Sequence, residues 1–215
     1  MSTKFRPNPP LHRIALSGAA GTGKTTLIEA LERRKYAVHH EYSRQLIQES
    51  IASGSDVLPW DNLDAFTNEV VQKRWGHFLE GSKGTQVVFY DRTPIDSLAY
   101  YGQNPSNWHS DWISVCEKLV YGKVFITPPW REIYKVDQER WETFEHVEEV
   151  HADLMATYRH FGVEPIEIPF GSVEERISFI EQTVFGLINQ INQKEESGLA
   201  QARGILQMLL FFAEK

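Results

Sequence analysis

The segment Gly18-Ala19-Ala20-Gly21-Thr22-Gly23-Lys24-Thr25 constrains this chain more than any other. It fits G-x-x-x-x-G-K-[ST], the phosphate-binding P-loop pattern, whose fixed positions match by chance in roughly one chain of this size in a hundred. An apolar run, residues 12–17, precedes it and reads as a buried strand. Residues 24–34 follow, with Leu27, Ile28 and Leu31 on one helical face. Strand, glycine loop and helix is the context in which successive backbone N–H groups form an anion nest at the positive end of a helix dipole. Gly18 through Thr26 are therefore the expected phosphate-binding residues. Lys24 is expected at the β- and γ-phosphates, and the Thr25 hydroxyl at Mg²⁺.

The rest of the pattern suits one α/β domain. Strands are expected at residues 35–40, 85–90, 123–126 and 163–168. Helices are expected between them, at 42–51, 62–80, 94–101, 107–120 and to about 161. Ser172-Val173-Glu174-Glu175 reads as a capping box that starts a last helix running to about Asn192. Alternation of this kind predicts a five-stranded, mainly parallel sheet covered on both faces, a three-layer α/β fold of the P-loop NTPase kind. Ligands bind such sheets at the carboxyl ends of the strands. The Pro-rich residues 1–10 read as an arm, 11–192 as the domain, and 193–215 as an apolar tail carrying the run 205–212.

Bulk properties narrow the function. The chain has 215 residues, 41% apolar and a formal net charge of −7, with scattered Lys and Arg. That balance argues against a nucleic-acid-binding surface, which carries a basic stripe. No apolar run reaches the roughly 18 residues of a membrane span, and the start lacks a signal-peptide core. A cytoplasmic protein is expected. The single Cys116 excludes an internal disulfide and reads as a packed core thiol.

Three strand ends supply candidate chemistry. Asp91 and Arg92 close the apolar run 87–90, where a carboxylate holds Mg²⁺ and an adjacent cation touches a transferring phosphoryl group. Thr93 and Pro94 there also read as a helix start. Glu41, at the end of the second strand, could orient or deprotonate an acceptor hydroxyl, with Arg44 steadying it or binding substrate. The charged segment at about 129–143 reads as a mobile lid, with Arg131 and Arg140 as its catalytic cations. Trp60, after a proline in a loop, reads as a substrate wall, whereas Trp75, Trp108 and Trp112 read as core.

These motifs together resemble a known group. The phosphate loop, Glu41-Tyr42-Ser43-Arg44, the stretch Asp91–Tyr100 and the stretch Pro128–Tyr134 resemble the AAA-domain "predicted ATPase" family. That family is similar to the kinase domain of nicotinamide riboside kinases and, more distantly, to deoxynucleoside and thymidylate kinases. The resemblance covers about residues 11–190. It implies a P-loop kinase-type fold, ATP and Mg²⁺, Glu41 as catalytic carboxylate, and Asp91 with Arg92 as metal and phosphate groups. Too little chain follows the fifth strand for the helical lid of a ring-shaped motor.

Other classes fit less well. Asn192-Gln193-Lys194-Glu195 is a poor guanine signature, with Glu for Asp and a helix before it. His146 and His151 lie five apart, off one helical face, which excludes a His-Glu-x-x-His metal site and leaves them as surface residues. The sequence thus points to a kinase acting on a nucleoside-like acceptor. The alternative is a nucleotide-binding regulatory protein whose apolar tail docks a partner or a second copy. In either case Lys24→Ala should lower both ATP affinity and turnover, and survival of both would refute the loop assignment.

Overall fold

The computed structural model describes residues 12–81, 87–134 and 143–186. The strands are β1 (Arg13–Gly18), β2 (Ala37–His39), β3 (Val88–Asp91), β4 (Lys123–Thr127) and β5 (Ile166–Glu167). The helices are α1 (Lys24–Arg33), α2 (Ser43–Ser53), α3 (Leu63–Glu80), α4 (Pro94–Tyr101), α5 (Ser110–Lys118) and α6 (Phe144–His160). A seventh, α7, is described over 173–186. All strand pairs are parallel, in the order β2-β3-β1-β4-β5. The expected five-stranded sheet is therefore present, though β5 is only two residues long where six were expected. The expected helix at 107–120 is shorter too. A 3₁₀ turn, Pro105–Asn107, precedes α5.

Side-chain alternation along β1 divides the core. Ile14 and Leu16 face one layer, together with Leu27, Ile28 and Leu31 of α1 and Ile177, Ile180 and Val184 of α7. Ala15 faces the other, built from α3, α4, α5 and α6 around Trp112, Leu98 and Tyr158. Each fully buried large side chain contributes about 1.5–3 kcal/mol, so the two layers hold the sheet between them. Cys116 lies in the second layer, 1% exposed, where burial pushes its thiol well up. Trp108 and Trp112 are core, as expected, and Trp75 packs against that cluster. His146 is exposed as expected. His151 is a correction: it is half-buried, and its Nε2 lies 3.0 Å from Glu167 Oε1 on β5.

Side-chain caps start α3 and α7. Asn62 Oδ1 accepts from the Ala65 N–H to start α3. Glu175 Oε2 accepts from Ser172 N at 2.8 Å, and Glu175 N donates back to Ser172 Oγ, so the capping box of α7 is formed. The arm 1–10, the end of the last helix and the tail 193–215 lie outside the described residues. Among the described residues no helix is long and apolar enough to cross a membrane.

On the β2 edge, His39 stacks on His77 of α3 at 4.7 Å and on Tyr90 at 5.1 Å. Burial pushes His77 down to about 4, helped by His39 and Lys73 and opposed by Glu80. The unfolded chain then binds a proton that the folded one refuses, so stability is full above about pH 6.5 and lost as pH falls toward 4. The melting temperature should drop across that window, and His77→Gln should flatten the drop.

Candidate active site

The phosphate loop is shaped by its glycines and locked from behind by threonines. Gly18 has φ +146°, and a Cβ there would stand 1.9 Å from Thr127 Oγ1. The Thr22 hydroxyl donates to Ala19 O at 2.9 Å and lies 2.6 Å from Thr127 Oγ1. Thr127 in turn donates to Ser17 O. Gly18 and Thr22 thus fasten the loop to the end of β4, while Ala19, Ala20, Gly21, Gly23, Lys24, Thr25 and Thr26 line a cavity of about 580 Å³. Gly21 and Gly23 take left-handed φ of 76° and 81°. Gly23 caps α1, and no side chain satisfies the first N–H groups of that helix. Lys24, Thr25 and Thr26 at this helix N-terminus line the cavity, which is what an anion needs.

The register of β1 and β3 sets Asp91 beside Leu16, two residues before Gly18. There Asp91 accepts a hydrogen bond from Lys24 Nζ, and both are buried. Burial and the nearby Arg92 push the Lys24 ammonium down, while Asp91 and Glu41 pull it back up. Arg92 has φ +73°, a conformation that costs a non-glycine residue about 1–3 kcal/mol. The turn aims its guanidinium across the cavity. Its Nε donates to Glu41 Oε2, its Nη1 lies 3.5 Å from Asp96 Oδ1, and it sits over the Tyr100 ring at 5.0 Å.

Glu41 is held from a second side by Arg74 of α3. Arg74 Nη2 donates to Glu41 Oε1 at 2.6 Å, and Nη1 donates to Ser97 Oγ at 2.8 Å and to Thr93 O at 3.2 Å. Ser43 adds donors from its N–H and hydroxyl to Glu41 Oε1. Burial alone would raise the carboxyl, but Arg74, Arg92 and Lys24 hold it far below the usual carboxylate range. Asp96, fully buried, ties these parts to the loop. It accepts from Ser17 Oγ at 2.6 Å, from Thr93 N at 2.9 Å and from Tyr158 OH at 2.5 Å.

A second cavity, about 610 Å³, opens on the far side of Glu41. Its walls are apolar: Ile47, Trp60, Leu63, Phe66 and Val70. Ser43, Thr67 and Ser97 add polar points. Ala20, Glu41, Arg44 and Arg92 border both cavities. Trp60 and Arg44, expected as substrate contacts, both border this second cavity. Arg44 does not steady Glu41; Arg74 and Arg92 do. Arg131 is not brought to the cavity. Its guanidinium is taken up by Glu145 and the Phe144 ring, and Trp130 and Ile133 of the same segment line the cavity instead. Arg140 and most of the expected lid lie outside the described residues.

Sequence reasoning missed Arg74, Asp96 and Arg176. Arg74 carried a signal: it falls in the buried stripe of α3, four residues after Val70 and four before Phe78. Asp96 stands three after the cap Thr93, and the two form the capping box of α4.

The donor set suits a polyphosphate with a hard cation. Lys24, Arg44, Arg92 and Arg176 line the first cavity against two carboxylates, Glu41 and Asp91. No group of three or more His, Cys, Asp or Glu side chains able to hold a metal occurs among the described residues. The Thr25 hydroxyl, exposed in the cavity, and the Asp91 carboxylate fit Mg²⁺, which takes one or two protein oxygens and completes its shell with phosphate and water.

A family model described as an AAA domain matches residues 13–176, which span the loop, the Glu41 site and all five strands. The chain belongs to the AAA domain family. Among curated proteins no match is found. Among solved structures, this AAA-domain chain is similar to the NadR protein in complex with NR, at 18% identity and a TM-score of 0.60. That match covers 81% of this chain and 51% of NadR, so the chain spans about half of that protein. It is also similar to deoxyadenosine kinase from M. mycoides with bound dATP, at 15% identity and a TM-score of 0.51, covering 80% of this chain and 98% of that one. Thymidylate kinase from Ehrlichia chaffeensis matches at 15% identity and a TM-score of 0.52, covering 80% and 97%. The AAA domain described here thus has the fold of a kinase-like P-loop NTPase.

Arg74→Met removes one of the two guanidinium groups on Glu41 and the side-chain donor to Thr93 O and Ser97. It should cost about 3 kcal/mol of stability in a denaturant titration, the scale of breaking a buried ion pair. Arg74→Lys, lacking the planar fork, should recover less than half of that.

Proposed function

We propose that the protein is an ATP- and Mg²⁺-dependent phosphotransferase acting on a small, nucleoside-like hydroxyl compound. The observation that carries this reading is the pair of cavities meeting at Glu41 and Arg92. A protein that only hydrolyses or senses a nucleotide has no use for an apolar-walled second cavity on the far side of the phosphate loop. The kinases among the similar structures support the same reading. The feature that favours a regulatory role, the apolar run 205–212, lies outside the described residues.

When bound, ATP supplies the phosphoryl group and Mg²⁺ neutralises charge on its β- and γ-oxygens. Thr25 and Asp91 would hold the metal. Lys24 would leave Asp91 for the phosphates, drawn by their larger charge. The acceptor would lie against Trp60 and Phe66 with its hydroxyl at Glu41. With Arg74 on one oxygen and Arg92 on the other, the Glu41 carboxylate is a weak base, so it would orient the hydroxyl rather than deprotonate it in advance. That suits a loose transition state: the hydroxyl oxygen would bond to the γ-phosphorus as the bond to ADP breaks, and its proton would leave last, to Glu41. Arg92, beside Glu41, would stabilise charge on the group in transit.

ADP release measured with a panel of nucleosides and nicotinamide riboside tests this. Turnover should depend on one class of acceptor and fall at least a hundredfold in Glu41→Gln, with ATP affinity within a few-fold of wild type. Equal, slow ADP release with every acceptor would overturn the reading.

A further inference from the structure

Among the described residues, Arg176 is a buried cation without a counter-ion. It stands in the first turn of α7, behind the capping box, and is 3% exposed. The ion pairs of the neighbouring arginines set it apart: Arg34 pairs with Glu174 and Glu181, Arg74 and Arg92 with Glu41. Among the described residues no carboxylate pairs with Arg176. Its Nη2 reaches Thr22 O at a long 3.4 Å, and its Nε has no partner. Burial pushes its guanidinium down with no carboxylate to offset it. An unpaired buried charge costs several kcal/mol, and an anion bound beside it would offset that cost.

Arg176 lines the phosphate-loop cavity, and its Nη1 stands 3.0 Å from where a Cβ on Gly23 would be. Gly23 is the cap of α1, the position around which the loop N–H groups converge. The Trp130 ring lies 5.7 Å from the guanidinium on its other side, and Trp130 stacks on Phe170 at 5.0 Å. The guanidinium is thus confined between an aromatic wall and the backbone of the loop. It can take an anion in the cavity through its remaining N–H groups, without moving the protein around it.

We propose that Arg176 is a phosphate ligand of the nucleotide, a pre-positioned cation that completes the loop from the α7 side. This rests on the reading of the loop as a nucleoside triphosphate site. The bound phosphates would be its counter-ion, and the protein without nucleotide carries the cost of leaving it unpaired.

That gives Arg176→Met a signature no structural role shares. Titration calorimetry with ATP and ADP should show affinity falling at least tenfold, with Arg176→Lys between the variant and wild type. The melting temperature without nucleotide should stay level or rise, because the unpaired charge is gone. The ATP-induced rise in melting temperature should shrink. An affinity change below tenfold would overturn the inference. A melting temperature lowered by several degrees without nucleotide, or a failure to fold, would also overturn it by assigning Arg176 to supporting the loop. If wild type binds neither ATP nor ADP, the reading of the loop itself fails, a result distinguishable from the others.

Discussion

A carboxylate gripped by two guanidinium groups organises this protein. Glu41 leaves the end of β2, Arg92 the end of β3, and Arg74 a buried position on α3. None of the three could be buried alone, since each isolated charge would cost several kcal/mol. Together they satisfy one another and draw Thr93 O, Ser97 and Ser43 into the same network. The network fixes where the β2 and β3 ends lie relative to α3. It is also the boundary between the phosphate-loop cavity and the apolar-walled one. A reaction between molecules in those cavities has to cross this triad, so the interaction that holds the layers in place also faces the chemistry.

The same logic reaches the loop through Asp96. Its carboxylate caps α4 through Thr93, accepts from Ser17 at the root of the loop, and lies 3.5 Å from Arg92. A shift of α4 would therefore be felt at once by the loop and by Arg92. The left-handed backbone at Arg92 fits this picture. A residue held at φ +73° at some energetic cost is kept there by its surroundings, and here Glu41, Asp96 and Tyr100 supply the hold.

Much of this was legible in residue patterns. The loop, the parallel sheet and the ends of β2 and β3 follow from local signals: glycines at fixed spacing, apolar runs that stop at an acid, and the capping box at Ser172. Trp60, a tryptophan after a proline in a loop with no core to join, is exposed and borders the second cavity. The partners of Glu41 were not legible in that way. Arg44 is its neighbour in sequence, one helical turn away, but its side chain is exposed, and Arg74, 33 residues on, takes the contact. Helical spacing identifies which residues share a face; it does not say which distant helix the face meets. Arg131 shows the converse. A cation in a charged segment after β4 is a reasonable phosphate ligand until the fold brings Glu145 and Phe144 within its reach.

Arg176 shows where sequence reading meets its limit. In the string Glu174-Glu175-Arg176 it has two acids beside it and looks like any residue of a solvated helix start. Folding sends those acids elsewhere. Glu175 turns back to cap its own helix at Ser172, and Glu174 reaches Arg34. Arg176 points inward with neither, toward a loop whose N–H groups are also unspent. An uncapped helix terminus and an unpaired buried cation are each unfavourable alone. They are placed so that one polyanion in the cavity would relieve both, beside the apolar layer of Leu27, Ile28 and Ile177 that α1 and α7 share.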